Sequence, residues 1–119
     1  MTTVGMVSAL ISVDGVGLGR PICQEPNIAK DMLKGKISGA IVQKVDRDNF
    51  GLLITIAGAQ IREIGKDQEP IDMSVQENVE AFMKDMGVWS KKMSSGNASI
   101  YGFLDIESAQ TRPYGAVAA

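Results

Sequence analysis

The chain has 119 residues, a length that normally forms one domain with a hydrophobic core. Hydrophobic residues make up 45% and charged residues 22%, which is the balance of a folded protein and excludes a disordered chain. The formal net charge of -2 comes from 12 basic and 14 acidic residues spread along the chain. No basic stripe is present, so nucleic-acid binding is not expected.

Cellular location is constrained by the cysteine count and by hydropathy. Cys23 is the single cysteine, which excludes an internal disulfide and favours a reducing compartment. Apolar runs are shorter than the roughly 18 residues of a membrane span, and the first residues lack signal-peptide character. We therefore expect a cytoplasmic protein that does not bind membranes.

The first predicted element is a β-hairpin. Residues 6–13 form an apolar run, which the stretch "DGVGLGRP" follows with a favoured Asp-Gly turn. Gly15 and Gly17 match the start of a dinucleotide-binding loop, but Arg20 stands where the third glycine is needed. The prolines that follow argue against a helix opening there, so we interpret these glycines as a turn.

The middle of the chain predicts a short helix and then strands. Asn27 can cap a helix over "IAKDMLKG", which Gly35 can close. The segments "ISGAIVQKV" and "FGLLITI" flank the turn "DRDN" and predict two strands, with residues 52–56 at the centre of the core. A further strand is predicted over "AQIREI", although its isoleucines lie three residues apart and break the two-residue period.

A second helix is predicted after residue 73. Ser74 and Glu77 match a capping box, and "SSGN" ends the helix. At about 100° per residue, its apolar side chains form one stripe. They are Val75, Val79, Phe82, Met83, Met86, Trp89 and Met93.

The whole pattern predicts one α+β domain over residues 1–107. Its sheet is mostly antiparallel, with five to six strands including a last one at "ASIYGFLDI", and two helices complete the domain. Residues 108–119 are expected to form a flexible C-terminal tail.

Side chains for catalysis or cofactor binding are scarce. Histidine is absent, and Cys23 has no activating neighbour in sequence other than Arg20. The stretch "DRDNFG" matches a calcium loop at Asp46, Asp48 and Gly51, but later ligand positions are apolar. We therefore expect no enzyme activity and no catalytic, metal-binding or cofactor-binding residues.

The carboxyl end of the second predicted helix is the candidate partner-binding surface. Trp89, Met93 and Met86 supply residue types enriched as interface anchors, and Lys91 and Lys92 would lie at the rim. The alternative is that the tryptophan packs in the core. Self-association with another copy of the chain is also predicted, because a short sheet leaves an edge to cover.

Several stretches resemble known families. "SALISVDGVGL" resembles the first hairpin of roadblock domains, and "ITIAGAQIREIGKDQEP" with "VQENVEAFMKDMG" is similar to the last strands and final helix of profilins. This resemblance implies a noncatalytic scaffold that dimerises and binds a small GTPase or an actin-like protein. "AIVQKVDRDNFGLLITIAGAQIREI" is also similar to a hairpin of the small effector subunits of multicomponent monooxygenases, which implies a cofactor-free regulator.

The sequence therefore predicts a non-enzymatic module for protein-protein interaction or assembly. A monooxygenase effector subunit and a structural subunit of a viral or phage particle are the alternatives. In each of these roles the partner is a protein.

Overall fold

A computed structural model describes residues 13–15, 17–96 and 102–116. This part of the chain contains four helices: α1 (Pro21–Gln24), α2 (Ile28–Leu33), α3 (Phe50–Gly65) and α4 (Gln76–Ser94). None of the described residues lies in a β-strand, and one isolated antiparallel bridge joins Gln68 to Pro113. No helix in these ranges is long and apolar enough to cross a membrane.

The predicted α+β fold with five to six strands is wrong. Residues 52–56, expected at the centre of a sheet, lie inside α3, and "AQIREI" continues the same helix. The segment "ISGAIVQKV" is irregular, as are residues 102–106 of the predicted last strand. An apolar run without a clear period fits a buried helix as well as a buried strand, and here the helix forms.

The first half of the predicted hairpin, residues 6–12, lies outside the described ranges. Its predicted returning strand is wrong, because residues 17–20 are irregular and α1 begins at Pro21, where the prolines were expected to oppose a helix. Proline is tolerated there because the first turn of a helix needs no donor from it.

Helix α3 begins at a side-chain cap. The Oδ1 atom of Asn49 accepts a hydrogen bond from the backbone N–H of Leu52 at 3.1 Å, which satisfies one of the free donors of the first turn. The "DRDN" segment therefore starts a helix and does not connect two strands. Past the other end of α3, Asp67 has a φ of 57° and turns the chain away.

The two helices predicted from the sequence are confirmed in position. Helix α2 is followed by Gly35 with a φ of 73°, and α4 is followed by Gly96 with a φ of 73°. The predicted capping box is wrong, because the Oγ atom of Ser74 donates to Asp72 Oδ1 at 2.6 Å and the N-cap position belongs to Val75. The start of α4 is held by this local turn.

The main core collects side chains from both long helices and from the segments after each of them. Its buried members are Ile56, Ala59, Ile71, Met73, Val79, Phe82 and Leu104. Of the predicted α4 stripe, Val79 and Phe82 are buried, whereas Met83 and Met93 are exposed. A smaller cluster forms around Ile28 at α2, and α1 packs against α3.

The segment after α4 returns to the end of α3. The N–H of Glu69 donates to the carbonyl of Arg112 at 2.8 Å, and the N–H of Tyr114 donates to the carbonyl of Asp67 at 2.7 Å. These contacts are made by part of the stretch 108–119, whose flexibility stays a prediction.

Candidate functional site

A buried amide at the end of α1 gathers hydrogen bonds from distant parts of the chain. The Oε1 atom of Gln24 accepts from Gln43 Nε2 at 2.9 Å, from Gln60 Nε2 at 3.1 Å and from the N–H of Met73 at 3.3 Å. Its Nε2 atom donates to Asp72 Oδ1 at 3.2 Å. This Gln24 network ties α1, α3 and the segment before α4 into one unit.

Gln60 is the most enclosed member of the network. It is fully buried in α3, and its Nε2 atom also donates to the carbonyl of Ile71 at 3.0 Å. Its Oε1 atom has no hydrogen-bond partner among the described residues. Buried polar atoms without a hydrogen-bond partner are rare in folded proteins. The side chains of the described residues therefore leave one hydrogen-bond acceptor unused beside the Gln24 network.

A pocket of about 280 Å³ opens beside the network, between α1 and α3. We call it the basic pocket, because Arg20 and Arg47 outnumber its one carboxylate, Glu25. The carboxamides of Gln24 and Gln43 also line it. The guanidinium of Arg20 lies 5.7 Å from the centre of the Phe50 ring. Its apolar walls come from Pro21, Ile41, Val42, Val45 and Leu53.

A second pocket, of about 540 Å³, adjoins the first at Gln24. We call it the acidic pocket, because Glu63, Glu69 and Asp72 line it and Arg112 is its single cation. Its lining comes from the end of α3, from the segment before α4 and from the returning chain after α4. The two pockets thus place opposite charges on either side of one buried amide.

Glu63 is the titratable group of the acidic pocket with the most altered environment. Its side chain lies on the core side of α3, is 4% exposed, and accepts a hydrogen bond from the N–H of Ile71 at 2.9 Å. Burial raises the pKa of Glu63 to about 7, although this hydrogen bond and Lys66 act in the opposite direction. A carboxyl group with this pKa exchanges a proton near neutral pH, which is the property of a general acid or base.

The residues predicted to bind a partner lie on the last turns of α4. Met86 and Trp89 are half-buried against the core, and Lys91, Lys92 and Met93 are exposed. The indole N–H of Trp89 is buried and finds no acceptor in the described part of the chain. A binding role for this end of α4 stays a prediction.

The described residues do not meet the requirements of a metal site. No group of three or more potential ligand side chains comes together among them. Cys23 is half-buried, and burial raises the pKa of its thiol, so little of the reactive thiolate forms at neutral pH.

The comparisons with known proteins change the functional conclusion. No family model matches the chain. It is 44% identical over 91 residues to the NADH-dependent flavin oxidoreductase nadA of Aspergillus parasiticus, a match that covers 76% of this chain and 20% of that protein. The chain is similar to part of an enzyme. It spans about a fifth of the length of the curated relative it matches.

This relative overturns the prediction of a non-enzymatic interaction or assembly module, and with it the alternatives of an oxygenase effector and a viral subunit. The sheet implied by the roadblock and profilin resemblance is also absent from the described residues. The error has a chemical cause. Missing histidines and nucleophiles predict a protein without enzyme activity, but in a flavin enzyme the cofactor supplies the reactive atoms and the protein binds and orients it.

Sequence reasoning missed Gln24 and Glu63. Neither lies in a motif. The partners of Gln24 are 19 to 49 residues away in sequence, and the carboxylate of Glu63 accepts from Ile71, in the irregular segment after α3. Glu63 carried one usable signal, because a carboxylate on the apolar face of a helix is unusual. This signal can be used only when residues 50–65 are interpreted as a helix.

Proposed function

We propose that this chain works as part of an NADH-dependent flavin oxidoreductase and that the basic pocket contacts the flavin. The observation that carries the proposal is the 44% identity over 91 residues to a protein of that name. A bound flavin accepts and donates hydride equivalents, so the side chains around it need only to bind, orient and exclude water. The absence of histidine is compatible with those tasks.

The lining of the basic pocket suits the three chemical parts of a flavin. Ile41, Val42 and Leu53 offer an apolar wall for a planar ring. The carboxamide of Gln43 is of the type that pairs with the polar edge of such a ring, and Arg20 and Arg47 are suited to a phosphate.

The size of the basic pocket limits what it can hold. Its volume of about 280 Å³ lies near the lower end of small-molecule sites, which measure roughly 300 to 1,000 Å³. We infer that it contacts one part of a flavin and leaves no room for NADH. In this proposal the nucleotide binds to surfaces beyond the basic pocket, in keeping with a chain that spans a fifth of its relative.

Two further features belong to the proposal. Glu63, in the adjoining acidic pocket, is the group that can hold or release a proton near neutral pH at its carboxyl oxygen.

A cytoplasmic location fits the single free cysteine, because a reducing compartment keeps the thiol of Cys23 unpaired.

Flavin titration of the purified chain tests the proposal. We expect FMN or FAD to bind saturably, with quenching of flavin fluorescence and a dissociation constant measurable by calorimetry. Arg47→Gln and Arg20→Gln should each weaken binding about tenfold, the effect of losing one charge-assisted hydrogen bond of about 1.4 kcal/mol. Arg112→Gln is the matched control, because that arginine lines the other pocket.

Two results would overturn the proposal. One is the absence of saturable flavin binding by the folded chain. The other is an equal loss of affinity in Arg112→Gln and Arg47→Gln, because a merely electrostatic effect of net charge would then explain both.

A further inference from the structure

The side chain of Phe50 lies on the surface beside the basic pocket. It is 68% exposed, belongs to neither hydrophobic cluster, and is not one of the described residues that line the pocket. Its ring contacts Arg20, whose guanidinium carbon lies over the ring at 5.7 Å from the ring centre. This distance is within the roughly 6 Å of a cation–π interaction. The ring therefore reaches the basic pocket through the arginine.

We propose that Phe50 is a positioning residue of the basic pocket, which holds the guanidinium of Arg20 in place to bind the phosphate of a flavin. This role rests on the proposed function, in which Arg20 and Arg47 bind that phosphate. Phe50 itself contacts neither the phosphate nor the flavin ring. Its contribution is to restrict the arginine before the flavin binds.

The other neighbours of Arg20 leave its guanidinium available for an anion. Both ion pairs of the described residues are formed with Asp105, and Arg20 takes part in neither. Glu25 lines the same pocket, but its carboxylate accepts from the N–H of Ile41 at 2.8 Å and forms no ion pair with the arginine. A contact with the face of a ring uses none of the five N–H donors of a guanidinium, so these donors can bind phosphate oxygens.

The backbones of both contact partners are fixed. Arg20 occupies the N-cap position of α1, and its carbonyl accepts from the N–H of Cys23 at 2.9 Å. Phe50 is the first residue of α3 and follows Asn49, whose side chain caps that helix. Rotation about its side-chain bonds is therefore the main freedom left to Arg20, and a long side chain loses much of this freedom when it binds a ligand. A ring that restricts the guanidinium beforehand reduces this loss and strengthens binding.

Arg47, the other cation of the basic pocket, offers a comparison. No aromatic ring of the described residues lies over its guanidinium. Phe50 should therefore affect only one of the two phosphate contacts. We expect loss of its ring to weaken flavin binding about two- to fivefold, which is the strength of an exposed cation–π interaction expressed as a ratio of affinities. This effect is smaller than the loss expected when Arg20 itself is replaced.

Titrations of the purified chain with FMN and with riboflavin, which lacks the phosphate, test the proposal. Phe50→Leu should bind FMN about two- to fivefold more weakly than the unmodified chain and should bind riboflavin equally well. Phe50→Tyr keeps a ring and should keep the FMN affinity. Ile61→Leu is the matched control, because this residue of α3 is also exposed and does not contact Arg20. Urea unfolding should give the same midpoint for Phe50→Leu and the unmodified chain, because the ring is not part of the core.

A double-mutant cycle separates positioning of Arg20 from a direct contact between Phe50 and the flavin. In an Arg20→Gln background, Phe50→Leu should cause no further loss of FMN affinity. In an Arg47→Gln background, it should cause the same loss as in the unmodified chain. Equal losses in the two backgrounds would overturn the proposal, as would an equal loss of affinity for FMN and riboflavin.

NMR of the flavin-free chain tests the contact itself. The ring current of Phe50 should shift the resonance of the Arg20 Nε–H upfield, and Phe50→Leu should remove this shift. A resonance that is the same in both proteins would overturn the role of Phe50. FMN binding that Phe50→Leu leaves unchanged would overturn this role alone, whereas a folded chain that binds no FMN would overturn the proposed function and this role with it.

Discussion

The ring of Phe103 lies directly against the backbone of Gly58 in α3, so closely that a Cβ atom at position 58 would overlap the ring carbons. Glycine in a helix interior is unfavourable by about 1 kcal/mol relative to alanine. Here the missing side chain makes the contact possible, and it joins the segment after α4 to the middle of α3.

Gly58→Ala should therefore destabilise the protein, even though alanine is the better helix former. Forcing the Phe103 ring aside should lower the free energy of unfolding by about 1 to 3 kcal/mol, less the gain in helix propensity. Gly87→Ala in α4 is the matched control, because open space surrounds that position, and it should raise stability by about 0.5 to 1 kcal/mol. Urea unfolding measures both, and a gain of similar size in the two variants would contradict the contact.

Glu63 should make the protein less stable as the pH rises. Its folded pKa of about 7 is above the ordinary value of 4.5, so the folded state holds a proton that the unfolded state releases between these values. The loss across this window is on the order of 3 kcal/mol. Glu63→Gln, which keeps an acceptor for the N–H of Ile71, should show a flatter profile from pH 4.5 to 7 by urea unfolding. Parallel profiles for both proteins would show that Glu63 does not titrate in this range.

Asp85 should hold the returning segment onto α4. Its carboxylate accepts from the N–H of Glu107 at 2.8 Å and from the N–H and Oγ of Ser108 at 2.9 and 2.6 Å. Burial acts to raise the pKa of Asp85, but these hydrogen bonds and Lys84 outweigh it and lower the pKa. Asp85→Ala should reduce stability by about 1 to 2 kcal/mol, because three partly buried donors lose a charged acceptor.

Hydrogen exchange separates this local effect from a general one. In Asp85→Ala the amides of Glu107 and Ser108 should exchange faster, while those in the middle of α3 change only by the global loss of stability. The contribution of Asp85 is present above the ordinary pKa of an aspartate and disappears as the pH falls through the lowered value. Unchanged exchange at residues 107 and 108 would exclude this role.

Substitutions of Trp89 and Met93, both in the predicted α4 interface, should change the free energy of unfolding by different amounts. Trp89 packs against the core, so Trp89→Ala should lower stability by about 3 kcal/mol. Met93 is 45% exposed, so Met93→Ala should change stability by less than about 0.5 kcal/mol. Thermal unfolding measures this contrast. If the unmodified chain self-associates in sedimentation and Met93→Ala does not, the interface between copies lies at the end of α4, as the sequence predicts.

The wrong strand prediction for residues in α3 shows that hydrophobic periodicity cannot assign a segment that is apolar on all sides. Helices α2 and α4 follow from an apolar stripe on an otherwise polar helix and from glycines that end them. The run from Phe50 to Ile61 is apolar on both faces, so neither the strand period nor the helical period dominates. The 16-residue length of α3 favours a helix over a strand, but the sequence shows this length only if Gly58 is not interpreted as a turn.

The candidate site was less accessible from sequence than the helices. The basic pocket combines residues from α1, from the irregular segment after α2 and from α3. The Gln24 network joins positions as far apart as Gln24 and Met73, which are 49 residues distant. Residue type and local spacing carry no information about such contacts, and the pKa of Glu63 depends on burial that only the folded chain provides.

The pairing of the returning segment with the end of α3 also bears on the order in which the chain folds. The N–H of Gly115 donates to the carboxylate of Glu69 at 2.6 Å, across 46 positions of sequence. Contacts of this range require closure of a long loop before they give any stabilisation, whereas helices form from neighbouring residues in microseconds or less. We therefore expect residues 112–115 to dock after α3 and α4 have formed, so a chain still growing on the ribosome would leave the end of α3 uncovered until these residues emerge.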